Sequence, residues 1–100
     1  MDIIYEYDNV SASERLEGFA EEKLKKLHEK YDDVIRADVF FKEENTSSDD
    51  TGKICNIRLS VPGPRIFAEA TNSSFMDSIS ESIRELETQL RKRKDKMKNY

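Results

Sequence analysis

Two stretches in the middle of the chain, VIRADVFFKEE (residues 34–44) and KICNIRLSV (53–61), alternate apolar and polar residues with a period of two. In the first, Ile35, Ala37, Val39 and Phe41 fall on one side, and Arg36, Asp38, Phe40 and Lys42 on the other. In the second, Cys55, Ile57, Leu59 and Val61 face one way, and Asn56, Arg58 and Ser60 the other. Successive side chains of a strand point to opposite faces, so the pattern predicts two half-buried strands. Between them, the polar, glycine-ended NTSSDDTG (45–52) predicts a hairpin loop. A sheet wet on one face needs a cover on the other, and the rest of the chain must supply it.

The flanks do so. DIIYEY (2–7) is short and rich in β-branched and aromatic residues, which predicts a first strand. SASE (11–14) places Ser11 three residues before Glu14, a capping-box pattern for a helix start. Leu16, Phe19, Ala20, Leu24, Leu27 and Tyr31 then form one apolar stripe at helical spacing to about residue 30, and Asp32 and Asp33 end it. After the tight turn PGP (62–64), RIFAEA (65–70) predicts a fourth strand. TNSS (71–74) offers caps for a final helix over 74–97, with the stripe Phe75, Ile79, Ile83, Leu86, Leu90 and Met97. The order is β-α-β-β-β-α. A right-handed crossover makes the first two strands parallel, and the other pairs form an antiparallel meander. The expected fold is therefore α+β, a four-stranded mixed sheet with two helices packed on one face, and one domain over residues 1–100.

Composition narrows the chemistry. One hundred residues suffice for one modest core. A single cysteine, Cys55, excludes an intramolecular disulfide and suits a reducing compartment. The N-terminus lacks a signal-peptide pattern, and no stretch nears the roughly 20 apolar residues that cross a bilayer. A cytoplasmic protein without membrane association is expected. His28 is the only histidine, so no zinc set or Cys–His dyad can be assembled. Gly18, Gly52 and Gly63 are too scattered for a phosphate loop, and the acidic pairs 32/33, 43/44 and 49/50 fall in loops or at element ends. No enzyme, metal, cofactor or small-molecule substrate is expected. Tyr5, Tyr7, Phe40 and Phe67 could stack bases on an open sheet face, but core or edge packing is the better expectation.

Charge is unevenly placed. The last ten positions hold Arg91, Lys92, Arg93, Lys94, Lys96 and Lys98 against Asp95 alone. The whole chain is at −4, so this end carries +5 and the first ninety residues −9. On a helical wheel Arg15, Lys23, Lys26 and Lys30 share one flank of the first helix. Arg84, Arg91, Lys94 and Lys98 share a flank of the second, with Lys92 and Lys96 around the other side and Arg93 close to the apolar stripe. Taken alone, the basic end is best explained as a solvated helix terminus, where cations suit the macrodipole. Two helices on one sheet face, each with a basic flank, instead make a surface able to follow a phosphate backbone.

The element order, EEKLKKL (21–27), LSVPGPRIFAEATN (59–72) and QLRKRKDKMK (89–98) together resemble the ribosome hibernation promoting factors. That family includes the ribosome-associated inhibitor A proteins and was once described as sigma-54 modulation proteins. The most specific matches are Lys23, Lys26 and Leu27 in the first helix, and Gln89, Leu90, Lys92, Lys94 and Lys96 in the second. The resemblance implies a fold like a double-stranded-RNA-binding domain. It also implies a function: binding small-subunit ribosomal RNA where messenger and transfer RNA would sit, and blocking translation under slow growth or stress. Lys23, Lys26, Lys30, Arg84, Arg91, Lys92, Lys94, Lys96 and Lys98 would meet the RNA. The partner would be the small ribosomal subunit, and the protein a monomer away from it. Where the family carries basic residues near 85 and 88, this chain has Glu85 and Thr88, and Glu87 stands between Arg84 and Arg91. The segment SFMDS (74–78) also replaces an aromatic or acidic pairing common there. A thinner middle of the basic strip lowers affinity or shifts contact to the helix end. Ending just after the helix, the chain resembles the short form. The rival expectation is a protein-interaction module of transcription-modulator type, docking its basic helices on an acidic partner.

Overall fold

The computed structural model describes residues 1–45 and 51–97, with only the backbone of Met97, so Lys98 and the middle of the expected 45–52 loop lie outside the described residues. The elements are β1 (Asp2–Asp8), α1 (Glu14–Lys30), β2 (Arg36–Glu43), β3 (Lys53–Ser60), β4 (Ile66–Asn72) and α2 (Phe75–Met97). The sheet order is β1-β2-β3-β4, with β1 parallel to β2 and both later pairings antiparallel.

Register turns the sequence alternation into rows across the sheet. Tyr5, Val39, Ile57 and Ala68 form one inner row, and Tyr7, Phe41, Cys55 and Ala70 the next. The small Ala68 and Ala70 let α2 settle close over β3 and β4, where Ile79, Ile83, Leu86 and Leu90 are buried. Over β1 and β2, α1 buries Ala20, Leu24 and Leu27. Phe41 joins the two halves, stacking on Tyr7 at 5.3 Å and meeting Phe75 edge-on at 5.6 Å. Burial of a side chain this large contributes on the order of 2–3 kcal/mol.

Two local expectations need correction, and one buried feature lies beyond them. The cap of α1 is Ser13, whose Oγ accepts from Leu16 N at 3.2 Å, and not Ser11. Ser13 wins because its backbone also accepts the first helical bond, from Glu17 N at 3.0 Å. Tyr7 Oη then seals this end, donating to Glu17 Oε2 at 2.5 Å and accepting from Ser13 N at 3.3 Å. Ile35 is 63% exposed, whereas Val34 takes its place inside. The strand begins only at Arg36, and the turn bond from Val34 N to Tyr31 O sets the chain's direction just before it. Ser78 and Ser82 lie fully buried on the sheet-facing side of α2. Their hydroxyls donate to the carbonyls of Lys53 (2.5 Å) and Cys55 (3.0 Å), so helix and strand are hydrogen-bonded as well as packed.

Candidate nucleic-acid interface

The helices run side by side in the same direction. Near the start of both, Arg15 approaches Met76 Sδ at 3.7 Å, and at the end of α1 Lys30 Nζ meets Glu87 Oε1 at 2.9 Å. These contacts decide which flanks face each other. On α1 it is the flank of Arg15, Lys23, Lys26 and Lys30, and on α2 that of Arg84, Glu87, Arg91 and Lys94. The two basic flanks read from the sequence thus line one seam.

Within it the cations differ. Lys23 Nζ lies 4.9 Å from the Phe19 ring centroid, and Lys94 Nζ 5.8 Å from that of Tyr31. Cation–π contact of this kind holds an ammonium in place without removing its charge. Lys26 reaches Glu22 at 3.7 Å with both side chains about 70% exposed, a pair worth little in water. The hydrogen bond that Lys30 donates to Glu87 raises the Lys30 pKa above its ordinary value. Arg84 and Arg91 are exposed, seven residues apart and nearly in line, and enter no ion pair with the described residues. Glu87 is therefore a staple between the helices as well as an acid inside the basic strip.

Lys92 and Lys96 are not in the seam. They point to the β4 side of α2, beside Pro62, Pro64 and Arg65. Arg93 has a different task from its neighbours: it pairs with Asp33 at 2.6 Å and donates to Pro62 O at 2.7 Å. That fixes the tail of α2 to the turns before β2 and before β4. On the same side Gln89 Nε2 donates to Phe67 O at 2.8 Å. The wheel indicated the split of Lys92 and Lys96 from Lys94. Nothing local in the sequence marked Arg65 as their neighbour.

Elsewhere, Tyr5 and Tyr7 are packed under α1, and burial with nearby Glu21 and Glu17 pushes the Tyr5 phenol up to about 12. Phe67 departs from the expected packing and stands 58% exposed on the outer sheet face. Cys55 is core, and burial pushes its thiol up to about 12, so almost none is nucleophilic thiolate at neutral pH. The seam's chemistry is that of long cations along α2, whose 23 residues reach about 35 Å at 1.5 Å each. Such a strip can hold several phosphates.

Comparison with known proteins agrees with the fold. The model of a family described as sigma 54 modulation protein / S30EA ribosomal protein matches residues 3–98. A ribosomal subunit interface protein from Coxiella burnetii is similar in structure, with TM-score 0.81 and 25% identity over 95% of this chain and 99% of that one. The N-terminal domain of Protein Y from Thermus thermophilus shares the fold at TM-score 0.74 and 21% identity, over 92% of this chain and 98% of that one. No curated protein sequence matches.

Proposed function

Because the chain belongs to the sigma 54 modulation protein / S30EA ribosomal protein family, we propose that it is a ribosome hibernation factor. In this role a single domain, residues 1–100, binds small-subunit ribosomal RNA in the messenger and transfer RNA channel and blocks translation when growth slows or under stress. The observation that carries this reading is the seam: two parallel helices on one sheet face turn Lys23, Lys26 and Lys30 toward Arg84, Arg91 and Lys94. Lys92 and Lys96 add cations on the other side of the helix tail, and Lys98, outside the described residues, completes the proposed RNA-binding set. The similarity to a protein named for the ribosomal subunit interface supports the same partner.

Inhibition by this route needs no bond chemistry. A folded plug holds phosphates that messenger and transfer RNA would otherwise approach, and its own acidic residues repel them. It acts as a monomer in the cytoplasm, one copy per small subunit. Sedimentation of a stationary-phase lysate through a sucrose gradient tests this directly. The protein should travel with small subunits or whole ribosomes. Its absence from every ribosomal fraction would overturn the proposal and point to an acidic protein partner instead.

A further inference from the structure

The side of α2 turned away from the seam carries a second basic feature. Between the helix tail and the β3–β4 turn lies an open groove of about 620 Å³. Its floor is apolar, formed by Pro62, Pro64 and Ile66. Its rim carries Arg65, Lys92 and Lys96, all exposed and none in an ion pair with the described residues. No carboxylate lines it. That is unusual in a chain whose net charge is −4, and on a surface where other lysines have nearby acids.

The groove is also rigid. Gly63 at φ 100° shapes the Pro62–Pro64 turn in a conformation that glycine adopts without strain, while the flanking prolines fix their own φ. Arg93 clamps Pro62 O to the helix, and Gln89 clamps Phe67 O one residue past the floor. A fixed backbone removes one part of the ordering cost of binding, leaving only the rotamer freedom of the three long side chains to be lost.

We propose that this groove is a binding site for one nucleotide unit of single-stranded RNA, an inference that rests on the RNA-binding function proposed above and gives it a second contact surface. A base or ribose lies against Pro62, Pro64 and Ile66, and the flanking phosphates meet Arg65, Lys92 and Lys96. Lys92 and Lys96 are four residues apart on a helix, which sets their Cβ atoms about 6 Å apart. That suits successive phosphates of an extended strand. An acidic peptide would match the charge, but only a nucleic acid brings a flat ring with every anion it presents to the proline floor. With Lys94 on the opposite flank, the tail of α2 would be held by RNA from two sides.

The test is an amide and methyl NMR titration with an unstructured uridine octamer, alongside polyglutamate of matched charge. Three proteins are compared: wild type, Lys23→Glu/Lys26→Glu, and Arg65→Gln/Lys92→Gln/Lys96→Gln. The octamer should shift Arg65, Ile66, Lys92 and Lys96 in the wild type and equally in the Lys23/Lys26 variant, whose seam is disabled. In the triple-Gln variant those shifts should vanish, and the slope of log affinity against log salt should fall by about 2 for three lost contacts on a single strand. Shifts confined to seam residues would overturn the groove and leave the seam standing. Polyglutamate shifting the groove as strongly as the octamer would overturn it in favour of an acidic protein. No shift at Arg65 or Ile66 at saturation would overturn it outright.

Discussion

Cys55 is fully buried in the middle of β3, and its thiol rises from an ordinary 9.0 to about 12. In the unfolded chain that thiol loses its proton near pH 9, while the folded protein keeps it. Above pH 9 the unfolded state thus binds fewer protons, and stability falls as pH rises toward 12. The slope for one such group reaches about 1.4 kcal/mol per pH unit. Urea midpoints from pH 8 to 11 should therefore fall less steeply in Cys55→Ala than in the wild type. Parallel profiles would show that the thiol does not titrate differently on folding. Tyr5, also pushed up to about 12, should add its own loss only above pH 10. Cys55 was readable as core from strand alternation alone. Ser78 and Ser82 were not, because a serine in a helix normally reads as surface. Only their spacing of four, in line with Leu86, hints that their hydroxyls bond β3 carbonyls. The cap was misplaced for a similar reason: Ser11 and Ser13 are chemically alike, and the Tyr7 hydroxyl that favours Ser13 comes from β1.

At the scale of elements, periodicity carried nearly everything, since each strand has one wet face and each helix one stripe. It fails at Ile35, whose backbone still bonds Ser60 and Asp2 but which precedes the paired stretch of β2, where Val34 takes the inner place. The flanks of the helices were legible from the wheel, but the partner of each charge was not. Lys30 and Glu87 are 57 positions apart, and only the packing of α1 on α2 brings them together. The staple gives a prediction with an unusual sign. Glu87→Gln removes the acid from the seam and frees Lys30, so affinity for small subunits should rise, by about threefold to tenfold at low salt. The cost in stability should be small, because Lys30 is exposed and such a pair contributes little in water. Unchanged or weaker binding in a filter assay would place the RNA away from Glu87. Lys23→Glu/Lys26→Glu makes the opposite change. Neither residue is core, so circular dichroism should remain native while ribosome binding is lost. Native-like binding by a folded double variant would remove α1 from the interface.

At the scale of the whole molecule, the acidic body and basic tail are one device. A net charge of −4 predicts repulsion from nucleic acid at long range, so affinity must come from local contacts that displace condensed counterions. Each phosphate contact contributes about −0.7 to −0.9 to the slope of log affinity against log salt. Changing Arg91, Lys92, Lys94 and Lys96 to Gln should flatten that slope by roughly 2 to 3 units for small-subunit binding, if three or four contacts disappear. The loss should be largest at low salt. Glutamine is a good helix former, and none of the four side chains is buried, so α2 should persist. A solvated helix end would behave differently: the two salt series would run parallel, with only a small change in thermal stability. Arg93 is left out of the variant on purpose. Its bonds to Asp33 and Pro62 hold the tail in place, and removing them would mix a loss of structure with a loss of charge. Flattened lines with an unchanged far-ultraviolet spectrum would thus assign the effect to phosphate contact, and parallel lines would restrict the interface to the seam of Lys23, Lys26 and Arg84.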